Sequence, residues 1–149
     1  MTDTDARRAI ARYRAYADAF EAAYATDDWS VLAPYFTEDA VADLNGTRVQ
    51  GRDAVLTAFR TAVTIFDRRF DSRRMALVLG PEIADGRVHT KAVGRYECAA
   101  LPPLELEGEE WFTFTGDRIS HHVDRVVNLP DVMAYLARHA GGLRPLAGG

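Results

Sequence analysis

Cysteine is almost missing from this sequence: Cys98 stands alone, which excludes an intrachain disulfide and any cysteine cluster for zinc. It falls on the apolar side of an alternating run, where a small buried thiol is normally inert. No stretch approaches the roughly 18 consecutive apolar residues of a membrane-spanning helix, so no membrane partner is expected. The opening MTDTDARRAI lacks an apolar signal core and sets Thr2 three residues before Asp5, a helix-capping spacing. The expected location is the cytoplasm. Positive charge is also in deficit: the net charge is -4, which argues against a nucleic-acid groove and its need for a positive field. The local exception is DRRFDSRR, where Arg68, Arg69, Arg73 and Arg74 crowd a corner with Asp67 and Asp71 among them; it reads as a solvated turn. There is no phosphate-cradling glycine loop and no ligand-spaced histidine pair, so neither metal, nucleotide nor flavin is called for and the expected cofactor is none.

What is present fits one domain over residues 1–140 of the 149, followed by a flexible tail at 141–149. Residues 5–26 read as a helix with Ile10, Tyr13, Ala17, Phe20 and Tyr24 on one stripe. Asp27 or Asp28 caps a short second helix through Trp29, Leu32 and Phe36, kept short by Pro34. A brief strand at 40–44 turns at Asn45 and Gly46 into an extended piece at 48–50, and a third helix begins at Arg52, carries Val55, Phe59, Ala62, Val63 and Phe66 on one side, and ends near Arg68. Strands are expected at 74–83, 87–98, 104–115 and 118–127, and Asn128 caps a last helix stopped by Gly141 and Gly142. Helices first and antiparallel strands afterwards make an α+β fold: a cone-shaped, strongly curved sheet packed against three N-terminal helices, with a pocket in its concave face.

Polar residues on an apolar face are the chemical clue. From Leu104 the even positions are Leu104, Leu106, Gly108, Glu110, Phe112 and Phe114, so Glu110 is the one carboxylate on the apolar side unless a bulge at Gly108 slips the parity. The preceding strand sends Val88, Thr90, Tyr96 and Cys98 inward and His89 out. In RISHHVDRVV the two histidines point to opposite faces. Either His122 and Asp124 face inward, or Ile119, His121 and Val123 do. A three-residue loop at 115–117 pairs Phe114 with Arg118 and sets His122 against Glu110; a two-residue loop at 116–117 reverses the faces. Two carboxylates and an imidazole on one face would suit proton transfer on a carbon skeleton.

The segments YATDDWSVL, FTEDAV, QGRDAV and TGDRI resemble the nuclear-transport-factor-2-like superfamily, in its SnoaL-like branch of polyketide cyclases, dehydratases and isomerases, over 13–136. By that resemblance Asp124 stands where the cyclases and the limonene-epoxide-hydrolase group carry a catalytic aspartate. Other family chemistries lose their groups: Phe20 and Leu44 occupy the tyrosine and aspartate places of ketosteroid isomerases, and Ala92 and Gly94 the arginine and aspartate places of epoxide hydrolases. Tyr24 matches the first tyrosine of scytalone-type dehydratases, but Leu44 replaces the second. Asp43 lies on the outer parity and reads as structural.

The resemblance implies a cofactor-independent acid/base enzyme of cyclase, isomerase or dehydratase type, acting on a hydrophobic oxygenated small molecule. Asp124 is the expected acid/base, His122 its orienting partner or a second proton relay, and Glu110 and Tyr24 polarise a substrate oxygen. Phe20, Phe36, Leu44, Phe59, Tyr96 and Phe112 are the expected walls. A homodimer through the outer face of the sheet is implied, with Val93 and Trp111 apolar there. The alternative is a binding or scaffolding module on the same fold, favoured by Leu44, Ala92 and Gly94 where relatives keep reactive groups.

Overall fold

A computed structural model describes residues 1–146. Helix α1 runs over Asp3–Thr26, started by a capping box in which Thr2 accepts from the Asp5 N–H while its own N–H donates to the Asp5 carboxylate. It buries Ala9, Tyr13, Tyr16 and Ala23, and it stops at Asp27, whose φ of 59° is left-handed. The stripe is therefore rotated from the expected one and takes in Tyr16. Asp28 caps the next segment through Ser30, but Trp29–Tyr35 is a 3-10 helix and not an α-helix, as suits a short segment whose Pro34 donates no hydrogen bond.

Strand β1 (Phe36–Leu44) starts four residues earlier than expected, then turns at Asn45 and Gly46 (φ 53° and 89°) into β2 (Thr47–Gln50). Positive φ at both central residues is what a two-residue hairpin needs, and Asp85-Gly86 repeats it between β3 (Ser72–Ala84) and β4 (Arg87–Glu97). Helix α2 (Arg52–Ile65) buries Val55, Leu56, Phe59 and Val63. Strands β5 (Leu104–Thr115) and β6 (Arg118–Val126) precede α3 (Leu129–His139).

The six strands form one open sheet in the order β2-β1-β6-β5-β4-β3, with β1 and β6 parallel and the other pairs antiparallel. Register breaks in β1, β3 and the β5–β6 pair bend the strands. This is the α+β fold with a curved sheet packed against helices. Its inner face carries two apolar bodies. One joins α1, the 3-10 helix and α2 to the sheet through Tyr13, Tyr16, Leu32, Phe36, Phe59 and Phe112; the other is closed by α3 and holds Phe70, Tyr96, Cys98, Leu104 and Val132. Within 141–149, expected as a flexible tail, Leu143 is buried in the second body and Arg144 donates to the Asp71 carboxylate at 2.9 Å; residues 147–149 lie outside the described part. Among the described residues no helix is long and apolar enough to cross a membrane.

The β5–β6 hairpin departs from expectation in an instructive way. Thr115 pairs with Arg118, so the loop is the two-residue Gly116-Asp117, with Gly116 at φ 62°. That loop alone would send His122 outward. Instead Phe114 pairs with Ile119 and Thr113 with His121, leaving Ser120 as an extra, unpaired residue whose hydroxyl donates to the Thr113 carbonyl. The bulge switches parity, so Ile119 and His122 are both buried. His122 lies opposite Phe112, not Glu110, and Asp124 opposite Glu110. The expected face is right, but the expected loop and register are not.

Candidate functional site

On the inner face Asp124 has Glu110 across one strand boundary and Leu44 across the other, while His122 sits between Phe112 and Ala42. His122 Nε2 is 2.7 Å from Glu110 Oε2. Its ring stacks on Phe112 (centroids 4.5 Å apart, planes 9° off parallel) and meets the Phe59 edge at 5.6 Å, leaving it 2% exposed. With Nε2–H donating to the carboxylate, Nδ1 is a buried nitrogen without a partner among the described residues. Glu110 keeps 31% of its side chain exposed, so one end of this pair is reachable from solution.

One donor atom each from Glu110, His122 and Asp124 lies within 4.8 Å of the others, a set of the kind that could hold a divalent cation as well as move a proton. Burial drives the Asp124 carboxyl from its ordinary 3.8 up to about 7; the charge of Glu110 adds to the rise, His122 opposes it and Asp67 adds a little more. A carboxyl that exchanges its proton near neutrality is suited to acid/base work.

Two tyrosines of α1 feel the charge of this group: Tyr13, which the sequence reading placed on the helix stripe, and Tyr16, which it did not single out. Tyr16 is 4% exposed, and its phenol is held well above the usual range by burial and then by the charges of Glu110 and Asp124. Tyr13 is pushed up to about 12 by burial and Glu110, and its hydroxyl interacts with Thr90. The spacing Tyr13, Tyr16, Phe20 is itself a helical stripe, so the signal was available.

Tyr24 is not brought to this group. Its ring lies between the guanidinium groups of Arg68 (4.7 Å) and Arg73 (4.4 Å). Burial and then Asp67 raise its pKa, with no contribution from Glu110 or Asp124. Arg73 also bonds Glu21 at 3.0 Å and approaches Asp67 at 3.2 Å, and Tyr96 donates to Asp67 at 3.1 Å. The corner expected to be a solvated turn thus places Asp67 and Arg73 in a largely buried layer, with 13% and 10% of their side chains exposed. Burial raises the Asp67 pKa against the pull of Arg73.

Of the expected walls, Phe59 and Phe112 touch His122, Leu44 flanks Asp124, and Tyr96 belongs with Asp67. Phe20 packs on Trp29 and Phe59, and Phe36 on Tyr16 and Phe59, as core. Two surface clefts, of about 300 Å³ beside Cys98, Arg95 and Pro103 and about 290 Å³ beside Trp29, Leu56 and Arg60, contain none of the three site residues. Asp43 accepts from the Gly46 N–H in the turn, as its outer position suggested.

On the outer face His89 stacks on Trp111 at 5.0 Å and bridges Glu82 and Glu109. Glu109, on the odd, outward parity of β5, is buried there. Burial acts to raise its pKa, yet bonds from His89 and Arg125 outweigh it and hold the carboxyl below its ordinary value.

The family model for the SnoaL-like domain matches residues 8–122. Among curated proteins none matches the chain. Solved structures share the fold. A candidate SnoaL-like polyketide cyclase from Jannaschia sp. CCS1 is 11% identical, with 89% of this chain and 93% of that one covered at a TM-score of 0.70. An LEH-like epoxide hydrolase from M. tuberculosis is 17% identical, with 92% and 95% covered at 0.63. A hypothetical protein with a ketosteroid isomerase-like fold from Catenulispora acidiphila DSM 44928, in complex with trimethylamine, is 18% identical, with 80% and 90% covered at 0.59.

Proposed function

Because the chain belongs to the SnoaL-like domain family, we propose that it is an acid/base enzyme of cyclase, isomerase or dehydratase type, working with its own side chains on a hydrophobic oxygenated small molecule such as a polyketide, terpenoid or steroid-like compound. The observation that carries the proposal is the Glu110–His122 bond of 2.7 Å beside an Asp124 carboxyl that titrates at about 7. Asp124 takes a proton from, or gives one to, a carbon or hydroxyl of the substrate. His122, clamped by Phe112 and Phe59, holds Glu110 in place for a second proton position. Tyr16 replaces Tyr24 as the polarising donor: with its pKa held high it stays protonated, and its hydroxyl can donate to oxygen charge that develops as a proton leaves carbon.

The test is solvent deuterium exchange, followed by NMR, at carbons next to the carbonyl in a panel of aromatic and terpenoid ketones. Asp124→Asn and Glu110→Gln should each slow exchange about a hundred to ten-thousand-fold. Full activity in both variants would refute the assignment. The binding-module reading draws on Leu44, Ala92 and Gly94, which offer no reactive group on the same face; it expects ligand binding with no exchange. The proposal also includes a homodimer through the outer face around Trp111, which sedimentation of the parent and of Trp111→Arg would test.

A further inference from the structure

Among the described residues three glycines lie inside strands, and two of them have a structural reason. Gly80 has a φ of 77°, which strains any residue with a Cβ. A Cβ on Gly94 would lie 2.7 Å from the Met75 sulfur and 2.9 Å from the Tyr96 ring. Gly108 has neither reason. Its φ is not positive, and the pairing with Ala92 on β4 and Val126 on β6 runs unbroken through it, so the bulge that the sequence allowed there does not form. Apart from its own chain neighbours, a Cβ built on Gly108 would meet only the Ala92 carbonyl oxygen, at 3.9 Å. A glycine inside a central strand weakens the sheet, and one that neither the backbone nor the packing requires marks a place where another molecule approaches closely.

The burial of the inner face locates that place. The cross-strand row of His122, Phe112 and Val88 is buried, and so is the row of Leu104 and Tyr96. Between them Val126, Gly108 and Ala92 form one row across β6, β5 and β4, and all three keep partial exposure although they lie inside the sheet. Glu110 and Asp124 form the next row along β5 and β6. Solvent thus reaches a hollow floored by Gly108 and Ala92, walled by Leu106 and Val126, and edged by the two carboxylates. Its floor spans three strands, about 10 Å across, and carries no hydrogen-bonding side chain.

We infer that Gly108 is the specificity-determining residue of this site: the open space over it seats a flat, fused-ring apolar frame, laid across β4, β5 and β6, with the reacting carbon at Glu110 and Asp124. The inference rests on the acid/base site proposed above and narrows its substrate to molecules with at least two fused rings. A side chain at position 108 would occupy the floor and discriminate against such a frame more than against a single ring.

The experiment measures binding apart from catalysis. Calorimetric titration of the whole chain with naphthol and with phenol gives an affinity ratio, and deuterium exchange of tetralone, followed by NMR, reports turnover. The parent should favour naphthol by at least about ten-fold, and Gly108→Val should lower that ratio at least about ten-fold. Gly108→Ala should fold with a Tm no lower than the parent's, because the space is open and the backbone ordinary. Should Gly108→Val not fold, Ala92→Val fills the same floor from the next strand and is expected to lower the ratio likewise. An unchanged ratio in a folded valine variant, no naphthol binding at millimolar concentration, loss of folding in both valine variants, or a destabilised Gly108→Ala would overturn the inference. The two readings fail separately. A ratio that falls in Gly108→Val while the parent exchanges nothing sinks only the acid/base reading; exchange lost in Asp124→Asn with the ratio unchanged in Gly108→Val sinks only the role of Gly108.

Discussion

Replacing Asp124 by Asn should make the protein more stable and less active. In the fold the Asp124 carboxyl holds its proton up to about 7, whereas in the unfolded chain it releases it near 3.8. Below the lower value both states are protonated and the residue does not distinguish them. Between the two, the unfolded chain has lost the proton and the folded one retains it, so stability falls as pH rises, by ~1.4 kcal/mol per pH unit. Above about 7 the carboxylate is buried and charged beside Glu110, and the accumulated cost is constant at about 4 kcal/mol. Asparagine has nearly the same shape and no charge to desolvate. At about pH 8 the variant should therefore be more stable by roughly 2–4 kcal/mol, the lower figure allowing for partial solvation, while near pH 4 the two proteins should be alike. For a chain of this size that is a rise in Tm of about 5–10 °C. Urea titrations at the two pH values measure it directly. A variant that is less stable than the parent at alkaline pH, or that gains the same amount at both, would show that Asp124 is not desolvated as described.

Tyr16→Phe should lower ketone exchange about ten-fold or more, whereas Tyr24→Phe should leave it within about two-fold, because only the first phenol lies in the field of Glu110 and Asp124; the reverse ranking would restore Tyr24 to the site. Gly80→Ala should cost more than about 3 kcal/mol in denaturant titrations, since at φ 77° the new Cβ would collide with the His89 carbonyl oxygen; a neutral result would mean that the β3 irregularity relaxes freely. Deleting Ser120 should be tolerated at a cost of about 1 kcal/mol, because it removes the unpaired residue and one hydrogen bond and leaves His122 and Asp124 on the inner face. Loss of folding or of ketone exchange in that variant would contradict the bulge account.

Periodicity and turn chemistry sufficed for the architecture: Asn45-Gly46 and Asp85-Gly86 announce their hairpins, and the alternation through Phe112 and Phe114 places Glu110 inward without coordinates. What alternation cannot supply is a change of parity. Ser120 has nothing in its chemistry that marks it as the extra residue, and the inward face of Asp124 was reached from a wrong loop length that happened to give the same parity. Tyr16 was missed for a different reason: the expected stripe ran one position off and left it out, and the two carboxylates whose charge it feels come from strands about a hundred residues further on. Asp67 and Arg73 looked solvated because charges of both signs alternate there, yet each is covered by Tyr24 or Tyr96, which only the fold brings near. Long-range burial of this kind has no local signature.

The tip of the β5–β6 hairpin is tied to the start of α1. Arg8 forks onto the Asp117 carboxylate at 2.6 and 3.0 Å, and Arg12 reaches both the Asp117 carbonyl and that of Pro34. Each contact is exposed and individually weak, but their placement closes a mechanical ring: hairpin arms bearing the carboxylates, a clasp at the tip, and the helix bearing the two phenols. The far end of the hairpin is thereby anchored to the helix as well as to its neighbouring strands β1 and β4, so a displacement of the tip is shared with the element that carries the phenols.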